Sequence, residues 1–157
     1  TPGRQFDLGP VDGKSYFVTA CEIWVAQIDG AESRRLVEGW LRNESPRGEF
    51  QSFFDFTSPL FKSGGKKVVF TSHCAVTTRV VYEVDLRDLS VRFLIYGNTL
   101  EVILGGKYQD HLLIQRHGYW LGGGSYDWYW LVSPDGRAVD PIGPDPKNFR
   151  QSYMTAE

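Results

Sequence analysis

Cysteine is scarce in this 157-residue chain, with only Cys21 and Cys74 present. Two thiols exclude a disulfide-dense scaffold and permit at most one bridge. A Cys21–Cys74 disulfide would close a loop of about fifty residues and contribute roughly 2–4 kcal/mol. It requires Cα atoms within ~7 Å. Two buried free thiols are the alternative. Long hydrophobic runs are also missing. No apolar run exceeds six residues, so no segment has the ~20 apolar residues that a membrane helix needs. Charge of one sign is lacking as well: 17 Lys and Arg face 19 Asp and Glu, a net charge of −2. Residues 1–50 carry 6 basic and 8 acidic groups, residues 51–100 carry 6 and 4, and residues 101–157 carry 5 and 7. The concentrated basic surface that nucleic acid demands is not there, and no nucleic-acid partner is expected. The chain opens Thr1-Pro2-Gly3 without Met, as a processed exported protein does and as a trimmed chain does.

Aromatic residues are abundant, at 15% with five Trp, eight Tyr and ten Phe. Disordered chains are poor in such residues and strands are rich in them. The length suits one domain able to bury a core.

Two stretches repeat one pattern. Residues 56–97 hold short apolar runs around Leu60-Phe61, Lys67-Lys66-flanked Val68-Val69-Phe70, Val80-Val81-Tyr82 and Phe93-Leu94-Ile95. Residues 99–143 hold Val102-Ile103-Leu104, Leu112-Leu113-Ile114, Trp128-Tyr129-Trp130 and Val139 to Ile142. Run starts at Lys66, Val80 and Ser90 recur at His111, Asp127 and Ala138, which lie 45, 47 and 48 residues on. Four short strands per ~40–50 residues is the period of a propeller blade. Turn signals fall at Ser63-Gly64-Gly65, Asp88, Gly105-Gly106 and Asp135-Gly136. Upstream, Tyr16 to Ile28 is apolar on both parities and reads as one strand sandwiched between layers. Asp29-Gly30 then turns into Arg34-Arg35-Leu36-Val37, so residues 15–41 read as the last half of a blade. Helix competes over Ala31 to Leu41, but Gly39 interrupts it and strand is favoured. Residues 1–14 read as a loop, 42–55 as a long polar connection, and 144–157 as a tail over an edge.

The segment Glu22 to Leu36, with its Asp29-Gly30 turn and Arg34-Arg35-Leu36, resembles a TolB-type propeller repeat. So does Ser58-Pro59 running through Gly65-Lys66-Lys67-Val68-Val69-Phe70, where Gly64 stands in the place of the family's Asp. In the second unit Ser133-Pro134-Asp135-Gly136-Arg137 sits one strand later than the family pattern. The likeness covers about residues 20–143. It implies an all-β fold, an open partial β-propeller of about three antiparallel blades, the first incomplete. Closed propellers use four to eight blades. In size and blade layout the chain is similar to periplasmic immunity proteins that neutralise peptidoglycan-amidase effectors of type VI secretion systems. That resemblance implies a loop inserted into a toxin's active site, a protein partner and a periplasmic or otherwise exported location. No residue motif carries it.

Chemistry-bearing residues are dispersed. His111 and His117 share a strand face about 20 Å apart and cannot hold one metal. Ser72-His73-Cys74 point alternately to opposite faces and make no nucleophile–base pair. The aspartates mostly mark turns. Residues 118–126, Gly-Tyr-Trp-Leu-Gly-Gly-Gly-Ser-Tyr, lack the helix and Lys of a phosphate loop. They read as a deformable aromatic loop suited to a protein or glycan, or as aromatics folded back on a hairpin. Residues 71–78 occupy the same place one blade earlier. The predicted partner-binding residues are therefore Ser72, His73, Thr77, Tyr119, Trp120, Gly122, Gly123, Gly124, Ser125 and Tyr126. A binding protein without catalysis, cofactor or metal is expected. A glycan-binding module stacking sugars on Trp120, Tyr126 and Trp128, a hydrolase, and a homodimer of two half-propellers stay open.

Overall fold

The computed structural model describes residues 5–11, 14–19, 22–27, 32–42, 51–75 and 78–154. Two four-stranded antiparallel sheets carry the repeat. The first joins β7 (Thr57–Lys62), β8 (Lys67–Ala75), β9 (Thr78–Asp85) and β10 (Val91–Tyr96) in simple meander order. The second joins β11 (Glu101–Val102), β12 (Leu112–Tyr119), β13 (Ser125–Val132) and β14 (Ala138–Gly143) in the same order. From Lys67 to Leu112, Thr78 to Ser125 and Val91 to Ala138 the offsets are 45, 47 and 47 residues. Upstream, β1 (Gln5–Val11) pairs with β2 (Lys14–Thr19), β3 (Glu22–Ala26) with β4 (Ser33–Glu38), and β5 (Trp40–Arg42) with β6 (Gln51–Phe53), each as an antiparallel two-stranded unit. The result is an all-β, unclosed arrangement of three antiparallel sheets, the first built, among the described residues, of two-stranded units.

Residue types explain strand positions. Pro59 in β7 and Pro141 in β14 lack the N–H that a central strand would need. Both strands lie at sheet edges. The central strands are apolar on both parities, and both faces are buried. On one face of the middle sheet Val69 and Val81 join Leu94, Ile95, Val102, Leu112, Ile114 and Val132 in a core shared with the last sheet. On the other face Val68, Phe70 and Val84 join Ile23, Leu36, Val37 and Phe53 of the first layer. Each fully buried Val, Leu or Ile contributes about 1.5–3 kcal/mol. Aromatic rings fill the first joint: Phe53 meets Phe56, Phe70 and Tyr82 at 4.7, 6.0 and 4.9 Å between centroids.

The second joint also contains charge. The Glu83 carboxylate, 2% exposed, meets Lys62 at 2.5 Å, Lys67 at 2.8 Å and Arg92 at 2.7 Å. Lys62 also donates to the carbonyl of Pro134 in the last sheet, 2.8 Å away, which ties the two blades together. Burial pushes the Glu83 carboxyl up, but the hydrogen bonds from Arg92, Lys62 and Lys67 outweigh it and hold the pKa at about 2. Close backbone approach completes the joint. Gly136, at φ +94°, lies where a Cβ would meet the Leu94 carbonyl oxygen at 2.7 Å.

Several sequence expectations are corrected. Residues 1–14 are not simply a loop, because β1 occupies Gln5–Val11, its register shifting between Asp7 and Pro10. Tyr16 to Ile28 is not one strand: β2 and β3 pair with different partners. The connection 42–55 contains β6, whose Phe53 enters the core. The terminal tail contains helix α1 (Lys147–Met154). It is short and polar, and tertiary contacts fix it. Arg150 pairs with Glu101 of β11 at 2.7 Å, and Phe149 lies against Tyr108 at 5.6 Å. Over the described part of 31–41, strand rather than helix is borne out by β4 and β5. Cys21 lies outside the described residues, and Cys74 is an exposed free thiol.

Candidate functional site

The β8–β9 and β12–β13 hairpins occupy equivalent places in successive sheets, so both emerge at one end of the stack. They differ in reach. β8 runs to Ala75 and β9 resumes at Thr78, so most of residues 71–78 is strand rather than loop. Ser72 is fully buried, and its hydroxyl donates to the Phe54 carbonyl at 2.9 Å. That is a structural role. His73 is half-buried with its ring on Phe54 at 5.3 Å. Thr77 lies outside the described residues.

Beside this hairpin Arg79 is anchored. It pairs with the Asp55 carboxylate at 2.8 Å, also donates to the Asp55 carbonyl, and reaches the Thr71 hydroxyl at 3.0 Å. Asp55 has a left-handed backbone, φ 54°. The bidentate guanidinium holds this otherwise unfavourable conformation in place.

The second hairpin protrudes. β12 and β13 pair without a break from Leu112↔Val132 to Tyr119↔Ser125. Trp120 then donates to the Gly124 carbonyl at 3.1 Å, and Gly123 donates back to Trp120 at 3.0 Å. Gly123 and Gly124 have φ +95° and +88°, a region other residues avoid. The glycine run therefore builds a hydrogen-bonded hairpin turn, the second of the two readings left open by the sequence. Its aromatics divide in two. Trp120 leans on Tyr126 at 4.5 Å between centroids, and Tyr126 lies across Gly118, where an added Cβ would meet the ring at 2.6 Å. Tyr119, 70% exposed, and the fully exposed Leu121 project into solvent, with Trp120 still 58% exposed. Gly122, Gly124 and Ser125 are exposed too.

Register brings together residues that sequence alone left apart. His117 faces Asp127 across the hairpin, with Nδ1 2.9 Å from the carboxylate, and its ring meets Tyr119 at 4.9 Å. Arg116 faces Trp128 and stands 5.9 Å over the Trp130 ring. The Trp128 indole N–H is buried without an acceptor among the described residues, edge-on to Tyr126 at 6.3 Å. Alternation places His117 and Asp127 on one face, but the pairing needs the turn length, which the glycine run obscured. His111 sits apart at the opposite end of β12, with Nδ1 3.3 Å from the Gln109 carbonyl. No cluster of three metal-ligating side chains occurs among the described residues. No helix among them is long and apolar enough to cross a membrane.

No family model matches the chain. No curated protein matches it. Two solved structures give a weak, partial resemblance to β-propeller domains. The β-propeller domain of the Trilobed protease from Pyrococcus furiosus, described as having an open velcro topology, is 16% identical. The alignment covers 90% of this chain and 40% of that one, with a TM-score of 0.47. Acylaminoacyl peptidase from Pyrococcus horikoshii is 14% identical over 76% of this chain and 22% of its own, with a TM-score of 0.43. The chain thus spans less than half the length of either.

Proposed function

We propose that this chain is a binding protein rather than a catalyst, and that the β12–β13 hairpin is the surface it presents to a protein partner. The observation that carries the reading is the tip itself: Tyr119, Trp120 and Leu121 are exposed in sequence on a turn fixed by two backbone hydrogen bonds. Large side chains on a pre-ordered support bind with little loss of conformational freedom. A solvent-facing Leu suits an apolar protein cleft, whereas sugars stack on open aromatic faces, and Trp120 and Tyr126 here lean on each other.

The specific form proposed is a periplasmic immunity protein whose hairpin enters the active-site cleft of a type VI secretion peptidoglycan amidase. Size and blade layout support it. The interface would bury at least ~1,000 Å². The test is affinity for, and inhibition of, amidase effectors, beginning with any encoded beside its gene. Trp120→Ala and Leu121→Asp are each expected to weaken binding at least about tenfold, the scale of a modest hot spot, without moving the unfolding midpoint. Unaltered binding by both variants sinks the proposal. A second reading, hydrolysis, draws on the His117–Asp127 pair, in which a carboxylate orients the imidazole through Nδ1. It requires a hydrolytic activity abolished by His117→Gln.

A further inference from the structure

Arginines in this fold are paired. Every arginine whose side chain is described, bar one, donates to a carboxylate or a carbonyl oxygen: Arg34 to the Leu86 carbonyl, the others to acidic side chains. Arg116 of β12 is the exception. It is half-buried and donates to no oxygen among the described residues. Its guanidinium stands 5.9 Å over the Trp130 ring. A planar group rich in N–H donors therefore has a π-face beneath it and no acceptor beside it.

A second unpaired donor lies alongside. Register sets Arg116 directly across from Trp128, so both side chains leave one face of the hairpin with Cβ atoms about 5 Å apart. The Trp128 indole N–H is shielded from water and has no acceptor among the described residues. A buried donor in that state is unfavourable until an acceptor arrives. The nearby acids do not supply one. Asp127 precedes Trp128, so its side chain leaves the opposite face, where it bonds His117. Asp55 is taken by Arg79. Asn98 donates to the Gln115 carbonyl as the chain crosses from the middle sheet to the last, and Arg116 lies one residue nearer the tip than that crossing. Arg116, Trp128 and Trp130 are each partly exposed, so a side chain arriving from outside reaches them.

We propose that this face of the hairpin binds one carboxylate, carried on a glutamate or aspartate of a protein partner. Charge and geometry select it. The two oxygens match the fork of the Arg116 guanidinium, and one of them then accepts the Trp128 N–H. No hydrogen bond to a described residue holds the guanidinium, so it swings to meet the incoming group and opens the way to the indole. A neutral amide offers the indole an acceptor but leaves the cation unpaired, and a cationic group is repelled. The inference rests on the reading of this hairpin as a partner-binding surface. It adds the partner's chemistry: an acidic side chain set back from the apolar cleft that receives Tyr119, Trp120 and Leu121.

The probe is propionate, which reproduces the end of a glutamate side chain, with propionamide as its neutral counterpart. Both are titrated into the isotope-labelled protein at constant ionic strength. The Trp128 indole resonance, assigned by its loss in Trp128→Phe, is followed by NMR. Propionate is expected to move it downfield and saturably, and propionamide is not. Arg116→Gln is expected to weaken that response at least about tenfold, the scale of a charge-assisted hydrogen bond. Its urea midpoint should stay in place, because the guanidinium has no partner to lose. Three results overturn the proposal: no movement of the indole resonance at a few hundred millimolar propionate, an equal response to propionamide, or an equal response in Arg116→Gln. The two readings of the hairpin fail separately. Effector binding weakened by Trp120→Ala but untouched by Arg116→Gln overturns the carboxylate site and keeps the tip. A saturable propionate response in a chain whose tip variants bind effector unchanged refutes the tip and keeps the carboxylate site.

Discussion

Glu83→Gln is the substitution whose effect the structure sets most closely. The Glu83 side chain is 2% exposed, and Lys62, its partner at 2.5 Å, is 1% exposed. Its carboxyl has a pKa of about 2 in the folded chain against an ordinary 4.5. At 1.36 kcal/mol per unit, that difference is worth roughly 3 kcal/mol. The folded pKa is depressed, so this stability is fully present above about pH 5 and is lost as pH falls from 4.5 toward 2. About 2 kcal/mol of it is gone at pH 3. The variant leaves Lys62 buried without its counter-charge, and breaking a buried pair costs about 3–5 kcal/mol. Urea unfolding followed by tryptophan fluorescence should therefore show Glu83→Gln roughly 3 kcal/mol less stable at pH 7. The gap should close progressively below pH 4. Asp85, held below the usual carboxylate range by hydrogen bonds from Arg87, titrates in both proteins and drops out of the difference. Equal midpoints at pH 7, or a gap of the same size at pH 2.5 and pH 7, would refute the reasoning.

Other outcomes follow from the close approaches and the exposed thiol. Gly136→Ala combines a left-handed backbone with a 2.7 Å contact to the Leu94 carbonyl, which cannot swing aside. It should cost about 2–4 kcal/mol in urea unfolding. Gly122→Ala meets nothing within 4 Å and should change stability by less than about 0.5 kcal/mol; similar losses at both positions would contradict the joint described. Cys74 is exposed and free, so a maleimide should label it in the native, unreduced protein. Labelling that appears only after reduction would reveal a bridge to Cys21.

The two full blades were legible because their strands are short, bounded by Gly and Asp turns, and apolar on both parities. Pro59 and Pro141 lie in edge strands, as their missing N–H requires, but which strands are edges emerges only from the sheet order. Other features depended on information that a linear pattern does not hold. The Glu83 cluster draws on Lys62, Lys67 and Arg92 from three strands, and no spacing rule marks a buried Glu among valines. β1 contains Gly9 and Pro10, which read as loop residues but are carried at an irregularity of register. α1 is short and mostly polar, and Arg150 and Phe149 hold it against the last blade. At the candidate site, the exposed aromatics were legible from residue type. Their division into a leaning pair and a projecting tip was not, because it follows from the turn that Gly123 and Gly124 impose.

The two joints of the stack are made of different materials. Between the first layer and the middle sheet the buried cluster is aliphatic and aromatic, with Tyr82 packed against it. Between the middle and last sheets a single carboxylate gathers three cations, and two of them, Lys62 and Arg92, also donate to the Pro134 carbonyl of the neighbouring blade. Acid removes the Glu83 charge around which the cations of the second joint gather. A carboxylate buried between two repeats gives that joint a dependence on acidity that burial of apolar surface alone would not.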